Sequence, residues 1–170
     1  MHTRIFLIGF MGSGKTTLGR KLAGKLKYDF VDMDHLIEQT SGMTVPGIFS
    51  EHGEDLFRKW ESDILKEILR MDHVVVATGG GAACHNNNMT LMKQHGLTIY
   101  LQLAPEAIRD RLLKSKTQRP LVKGKEPDEL LEYIKELLSS REGFYLQSDL
   151  VIHGINLHVE ELLDAISRLD

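Results

Sequence analysis

Eight residues near the start, Gly9-Phe10-Met11-Gly12-Ser13-Gly14-Lys15-Thr16, have the spacing G-x-x-x-x-G-K-[ST] of a phosphate-binding loop. Glycines allow the backbone to curl around an anion with its N–H groups turned inward. A helix that starts at the loop adds unpaired N–H donors and the positive end of its dipole. Lys15 can then reach the β- and γ-phosphates of a nucleoside triphosphate, and the Thr16 hydroxyl can ligate Mg²⁺. The context fits. Ile5-Phe6-Leu7-Ile8 before the loop suits a buried parallel strand, and Leu18, Leu22 and Leu26 after it share one helix face. The chain is expected to bind a nucleoside triphosphate.

Other residues could complete a site. Asp32-Met33-Asp34 reads as the end of the second strand. Alternation then puts both carboxylates on one side, facing the crevice at the carboxyl ends of a parallel sheet. Asp32 could hold Mg²⁺ there, directly or through water, and Asp34 could orient a substrate hydroxyl. The competing use is a helix N-cap, since Asp34 precedes a helical pattern; the nearby phosphate loop favours a ligand role for the pair. Arg58 and Glu61 share a helix face and, taken alone, read as a surface ion pair of little worth. Gly79-Gly80-Gly81 follows an apolar run, and three glycines let a ligand approach the backbone closely, whereas a plain tight turn needs fewer. Arg141 follows an inward-facing stripe, with Tyr145 one turn later. An arginine on the buried side wants an anion, and spacing leaves open whether that anion is a protein carboxylate or a ligand. Cys84, the single cysteine, reads as a packed thiol rather than a nucleophile.

These groups need a scaffold. Phe30-Val31, Val74-Val75-Val76, Leu97 to Leu101 and Leu150-Val151-Ile152 join Ile5–Ile8 as strand candidates. Between them run helical stripes such as Leu130, Ile134, Leu137 and Leu138, and Val159, Leu162, Leu163 and Ile166. This alternation predicts an α/β domain, a three-layer α/β/α arrangement around a five-stranded parallel sheet. Residues 34–61 are helix-like but broken by Gly42, Pro46 and Gly53, and are expected to form a substrate-holding insert. Lys114 to Lys125 is basic, interrupted by Pro120 and Gly124, and is read as a mobile loop near the phosphates.

The bulk properties narrow the classes. A chain of 170 residues suits one domain. A net charge of −3, from 21 basic and 24 acidic residues, argues against bulk binding to nucleic acid or to an anionic membrane. No apolar run approaches a membrane span, the start lacks the build of a signal peptide, and the lone cysteine points to a reducing cytoplasm. The eight histidines show no zinc-protease spacing, and neither a G-x-S-x-G elbow nor the N-K-x-D of guanine-nucleotide sensors occurs.

Taken in order, the landmarks resemble the shikimate kinase family, within the nucleoside-monophosphate-kinase-like P-loop fold. They are residues 9–17, Asp32-x-Asp34 with Ile37-Glu38, Ile48-Phe49, Gly53-Glu54, Phe57-Arg58-x-x-Glu61, Gly79–Gly81, Arg119-Pro120-Leu121 and Arg141-x-x-x-Tyr145. The resemblance runs from about Ile5 to the final helix, and it implies a role for each position. Gly12, Ser13, Gly14, Lys15, Thr16 and Thr17 would wrap the ATP phosphates, with Thr16 on Mg²⁺ and Asp32 supporting the metal. Asp34 would hold hydroxyls of shikimate. Arg58 and Arg141 would take its carboxylate, with Gly79, Gly80 and Gly81 lining the pocket. Arg119 would swing in from a lid at about 114–126, and the insert at about 34–61 would bind substrate. The core would comprise about 1–33, 62–113 and 127–170. Lys15, Asp34 and Arg119 would be the catalytic residues of γ-phosphate transfer to the 3-hydroxyl of shikimate, on the route to chorismate and aromatic amino acids. The implied setting is a cytoplasmic monomer with neither nucleic acid nor membrane as partner. One departure stands out: Ile152-His153-Gly154-Ile155-Asn156 lacks the arginine that some relatives carry near the adenine.

Overall fold

The computed structural model describes residues 2–115 and 124–169. Its strands are β1 (Arg4–Ile8), β2 (Asp29–Asp32), β3 (Val74–Ala77), β4 (Leu97–Gln102) and β5 (Leu150–His153). They form one parallel five-stranded sheet in the order β2-β3-β1-β4-β5. Each lies where an apolar run predicts it. Parallel neighbours need crossovers, and helices supply them: α1 (Lys15–Leu26), α2 (Met33–Ser41), α3 (Val45–Ile68), α4 (Asn88–His95), α5 (Pro105–Lys114), α6 (Pro127–Tyr145) and α7 (Val159–Ser167), with a short 3-10 turn at Ala82–Cys84.

The central strand β1 is buried on both faces, which is why its sequence is continuously apolar. Ile5 and Leu7 pack with Leu18 and Leu22 of α1 and with Leu162 and Ile166 of α7. Phe6 and Ile8 pack the opposite way, with Leu65 and Ile68 of α3, Met92 of α4, Ile108 of α5 and Ile134 of α6. The result is the α/β/α layering expected. The chain leaves β1 for β2 on one side and later places β4 on the other. Such a reversal opens a crevice at the carboxyl ends of the strands.

The three breakers in residues 34–61 each act at a helix boundary or bend. Gly42 closes α2 in the left-handed conformation. Pro46 stands in the first turn of α3, after Thr44, whose hydroxyl accepts from the Gly47 N–H at 3.2 Å. Gly53, at φ 80°, kinks α3 without ending it. A separate small core of Ile37, Ile48 and Phe57 ties α2 to α3. One boundary differs from the sequence reading: β2 stops at Asp32, and Met33-Asp34 already belongs to α2.

Gly96 shows how tightly the sheet is assembled. It ends α4 and feeds β4 in beside β1, and a methyl group there would lie 2.6 Å from the Arg4 carbonyl oxygen. The Gly96→Ala variant is expected to lose about 1–3 kcal/mol of stability by overpacking, seen as a lower urea midpoint. An unchanged midpoint would show that β1 and β4 can part without cost.

Candidate active site

The phosphate loop joins β1 to α1, with Gly14 at the helix N-cap at φ 99°, a conformation glycine adopts without strain. Lys15 is buried, and its ammonium donates to the carbonyls of Gly9 at 2.7 Å and Phe10 at 2.9 Å. Ser13 is buried beside it, with Oγ 3.5 Å from that ammonium. Thr16 donates its hydroxyl to Asp32 Oδ2 at 2.7 Å, while Thr17 is exposed on the same turn. Gly12 and Ser13 present their carbonyls to Arg111 of α5, at 3.3 and 3.1 Å, and Arg111 also donates to the Ile155 carbonyl beyond β5.

The two aspartates take different partners. Alternation holds only within a strand, and α2 begins at Met33, so Asp34 follows a turn of about 100° per residue instead. Asp32 stays with Thr16 and also caps α2, its Oδ1 accepting from the His35 N–H at 3.3 Å. The N-cap is therefore Asp32 and not Asp34. Asp34 faces the turn after β3: a methyl group on Gly79 would meet its Oδ1 at 2.8 Å and Glu61 Oε1 at 2.7 Å.

That turn is the floor of a cavity of about 1020 Å³ beside the phosphate loop. Its lining includes Met11, Asp34, Arg58, Glu61, Gly79–Gly81, Cys84 and Arg141, with Phe49, Phe57 and Phe144 supplying apolar surface. Each glycine of the floor fronts a different charged group. Gly79 meets Asp34 and Glu61; a methyl group on Gly80 would lie 3.5 Å from Arg141 Nη1; one on Gly81 would lie 2.5 Å from Arg58 Nη2. A methyl group at 79 or 81 would have to displace these side-chain ends, whereas one at 80 would make ordinary contact, so the closest approach is made at Gly79 and Gly81. The guanidinium groups of Arg58 and Arg141, 83 positions apart in the chain, thus rest against adjacent residues of one wall.

Arg58 and Glu61 depart from the surface pair that their spacing suggested. Glu61 is fully buried, and Arg58 Nη1 donates to its Oε2 at 2.8 Å. Arg58 Nε donates to Glu54 Oε1 at 3.1 Å, and the guanidinium stacks 5.2 Å above the Phe57 ring. Arg141 faces the cavity above Phe10, 5.8 Å from its ring centre. Cys84 is half-buried, and burial pushes its thiol upward, which fits packing rather than nucleophilic use. Arg119 lies outside the described residues. Two residues of the site take places that spacing does not reveal. Glu61 was paired with Arg58, but only the packing of α3 against the glycine turn shows it buried. Arg111 was overlooked, and its one signal was its position beside the inward Leu112 of α5.

The parallel sheet, its loop-to-helix phosphate site and the adjoining cavity define a P-loop kinase of nucleoside-monophosphate-kinase-like fold. The shikimate kinase family model matches residues 11–169. A shikimate kinase of Bacteroides thetaiotaomicron is 43% identical over 91% of this chain and 88% of its own length. A crystal structure of shikimate kinase from that organism superposes with a TM-score of 0.93 at 39% identity, covering 99% of this chain and 98% of that one. Shikimate kinase from Acinetobacter baumannii, solved in complex with shikimate, gives 0.87 at 36% identity, covering 98% and 92%. A gluconokinase from Sinorhizobium meliloti, at 17% identity and a TM-score of 0.60, shares the fold alone. The chain belongs to the shikimate kinase family.

The environment of Glu61 sets up a pH dependence. Burial raises its carboxyl to about 7, against the pull of the Arg58 guanidinium, with the Asp34 carboxylate adding to the rise and Arg141 opposing it. Among the described residues, no group donates to its Oε1. Between about pH 4.5 and 7 the folded chain therefore keeps a proton that the unfolded chain releases. The resulting stability is complete below about pH 4.5 and is lost as the pH rises through 7. Urea unfolding of the wild type and Glu61→Gln should show it. The wild type's stability relative to the variant should be greater at pH 5 than at pH 8, and an equal difference at both would mean that Glu61 does not titrate in this window.

Proposed function

We infer that the cavity beside the phosphate loop is where shikimate is phosphorylated by ATP. As a member of its family the chain transfers the ATP γ-phosphate to the 3-hydroxyl of shikimate, giving shikimate 3-phosphate and ADP on the way to chorismate and aromatic amino acids. The observation that carries the assignment of residues is the meeting of Arg58 and Arg141 on one glycine wall, next to Asp34 and the phosphate loop.

The chemistry of the acceptor asks for this set. Shikimate is a small acid with several hydroxyls. A guanidinium matches a carboxylate at two points, which an ammonium cannot do. We assign its carboxylate to Arg58 and Arg141, its ring to the space over Gly79–Gly81, and its hydroxyls to Asp34. Phe49 and Phe57 supply apolar surface on the Arg58 side of the cavity. The lobe of α2 and the first part of α3, with its own small core, is on this reading the substrate-binding insert.

Lys15 and the amides of residues 12–17 would hold the phosphates of ATP. Thr16 Oγ1 and Asp32 Oδ2, 2.7 Å apart, are hard oxygen donors at the edge of that loop. They suit Mg²⁺, which takes one or two protein oxygens and completes its shell with phosphate and water. Among the described residues, no three His, Cys, Asp or Glu side chains gather to hold a metal without phosphate. When bound, Mg²⁺ neutralises phosphate charge. Asp34 holds the acceptor hydroxyl in line and takes its proton late, because a loose phosphoryl transfer demands little early deprotonation. Arg119, outside the described residues, is assigned to the phosphates on the family resemblance of Arg119-Pro120-Leu121.

Coupled ADP release on shikimate, with gluconate as control, tests the assignment. Turnover with gluconate alone would overturn it. The Arg58→Lys variant should raise the shikimate KM about ten-fold or more while leaving the ATP KM near the wild-type value, since two-point geometry is lost. An unchanged shikimate KM removes Arg58 from the carboxylate. Lys15→Met should lower kcat by roughly two to three orders of magnitude, and retained turnover is incompatible with its phosphate role.

A further inference from the structure

Tyr145 ends α6, and its ring is buried against Tyr100, with centres 5.1 Å apart. Its hydroxyl donates to the carbonyl of Gly80. Arg141 stands one turn earlier on the same helix. Gly80 is where two functions touch. Its α-carbon faces Arg141 Nη1 and the Met11 N–H of the phosphate loop, each 3.5 Å from where a Cβ would stand. A buried phenol that donates to the Gly80 carbonyl therefore fixes the wall against which the Arg141 guanidinium rests. Burial pushes the Tyr145 hydroxyl well above its ordinary range, so it keeps the proton it donates at any working pH.

We propose that Tyr145 is a positioning residue for the acceptor: its hydroxyl holds the Gly80 carbonyl, setting the wall against which the carboxylate-binding Arg141 guanidinium rests at a fixed offset from the phosphate loop. This rests on the assignment of Arg141 to the substrate carboxylate. A tyrosine kept for packing alone would need only its ring. The end of α6 has an independent anchor, because Glu142 Oε1 accepts from Gln102 Nε2 at 2.7 Å and from the Tyr100 hydroxyl at 3.4 Å. Removal of the Tyr145 hydroxyl thus leaves the helix docked while releasing the Gly80 wall that faces Arg141.

The Tyr145→Phe variant tests this directly. It keeps the ring and removes one buried hydrogen bond, so the shikimate KM should rise about ten-fold. The ATP KM should stay within about two-fold and the melting temperature within about 3 °C, since the ring packing is retained. In an Arg141→Ala background, Tyr145→Phe should add less than about two-fold to the shikimate KM, because a residue acting through another has nothing left to position. An unchanged shikimate KM in the single variant overturns the proposal. So does a full rise that persists without Arg141, or an equal rise in both KM values with a lower melting temperature, which would mark a purely structural tyrosine. Arg141→Ala alone with an unaltered shikimate KM would instead overturn the assignment of Arg141, and the positioning role with it.

Discussion

Close approach between a side-chain-free backbone and buried charge governs this molecule. Gly79, Gly80 and Gly81 bring the main chain so near Asp34, Glu61, Arg141 and Arg58 that a single methyl group at 79 or 81 would have to displace side-chain ends. The Arg58–Glu61 pair sits within this contact and is shielded from water. Removal of one partner from such a pair typically costs about 3–5 kcal/mol, because the other charge is stranded. Arg58 is held by Glu61 and Glu54 on one side and can present its remaining donors on the other.

The sheet makes this contact possible. Strand β3 delivers the glycine turn, β1 delivers the phosphate loop beside it, and β2 ends at the carboxylate that holds Thr16. These strands are parallel neighbours, so their carboxyl ends lie together and three loops meet without any long excursion. Helices α3 and α6 cross the same face and lower Arg58 and Arg141 onto the floor from opposite ends of the sequence. A phosphoryl-transfer site needs little beyond such placement, since positioning and charge neutralisation carry most of the catalysis.

Much of this was legible in the chain. Continuous apolar runs marked the strands because both faces of the sheet are covered, and Gly42, Pro46 and Gly53 marked the breaks in α2 and α3 because each has a backbone reason to stand there. The spacing of residues 9–16 identified the loop without any tertiary information. Three points were not legible. The end of β2 was placed late, because Asp32 serves as strand terminus, helix cap and threonine partner at once. The burial of Glu61 was invisible, since an i,i+3 ion pair reads the same on a surface as in a core. Arg111 carries no pattern of its own and reaches the loop only through the docking of α5.

Local residue order thus determined the phosphate loop, the strand and helix alternation and the family resemblance, because those properties depend on spacing within a few turns of chain. It also supplied two arginines of undecided purpose. Tertiary structure decided that they share one wall, that Asp34 and Asp32 part company, and that Glu61 is shut away from water. Those outcomes depend on which elements pack together across long separations, and a buried charge differs from a solvated one only once the surrounding surface has closed over it.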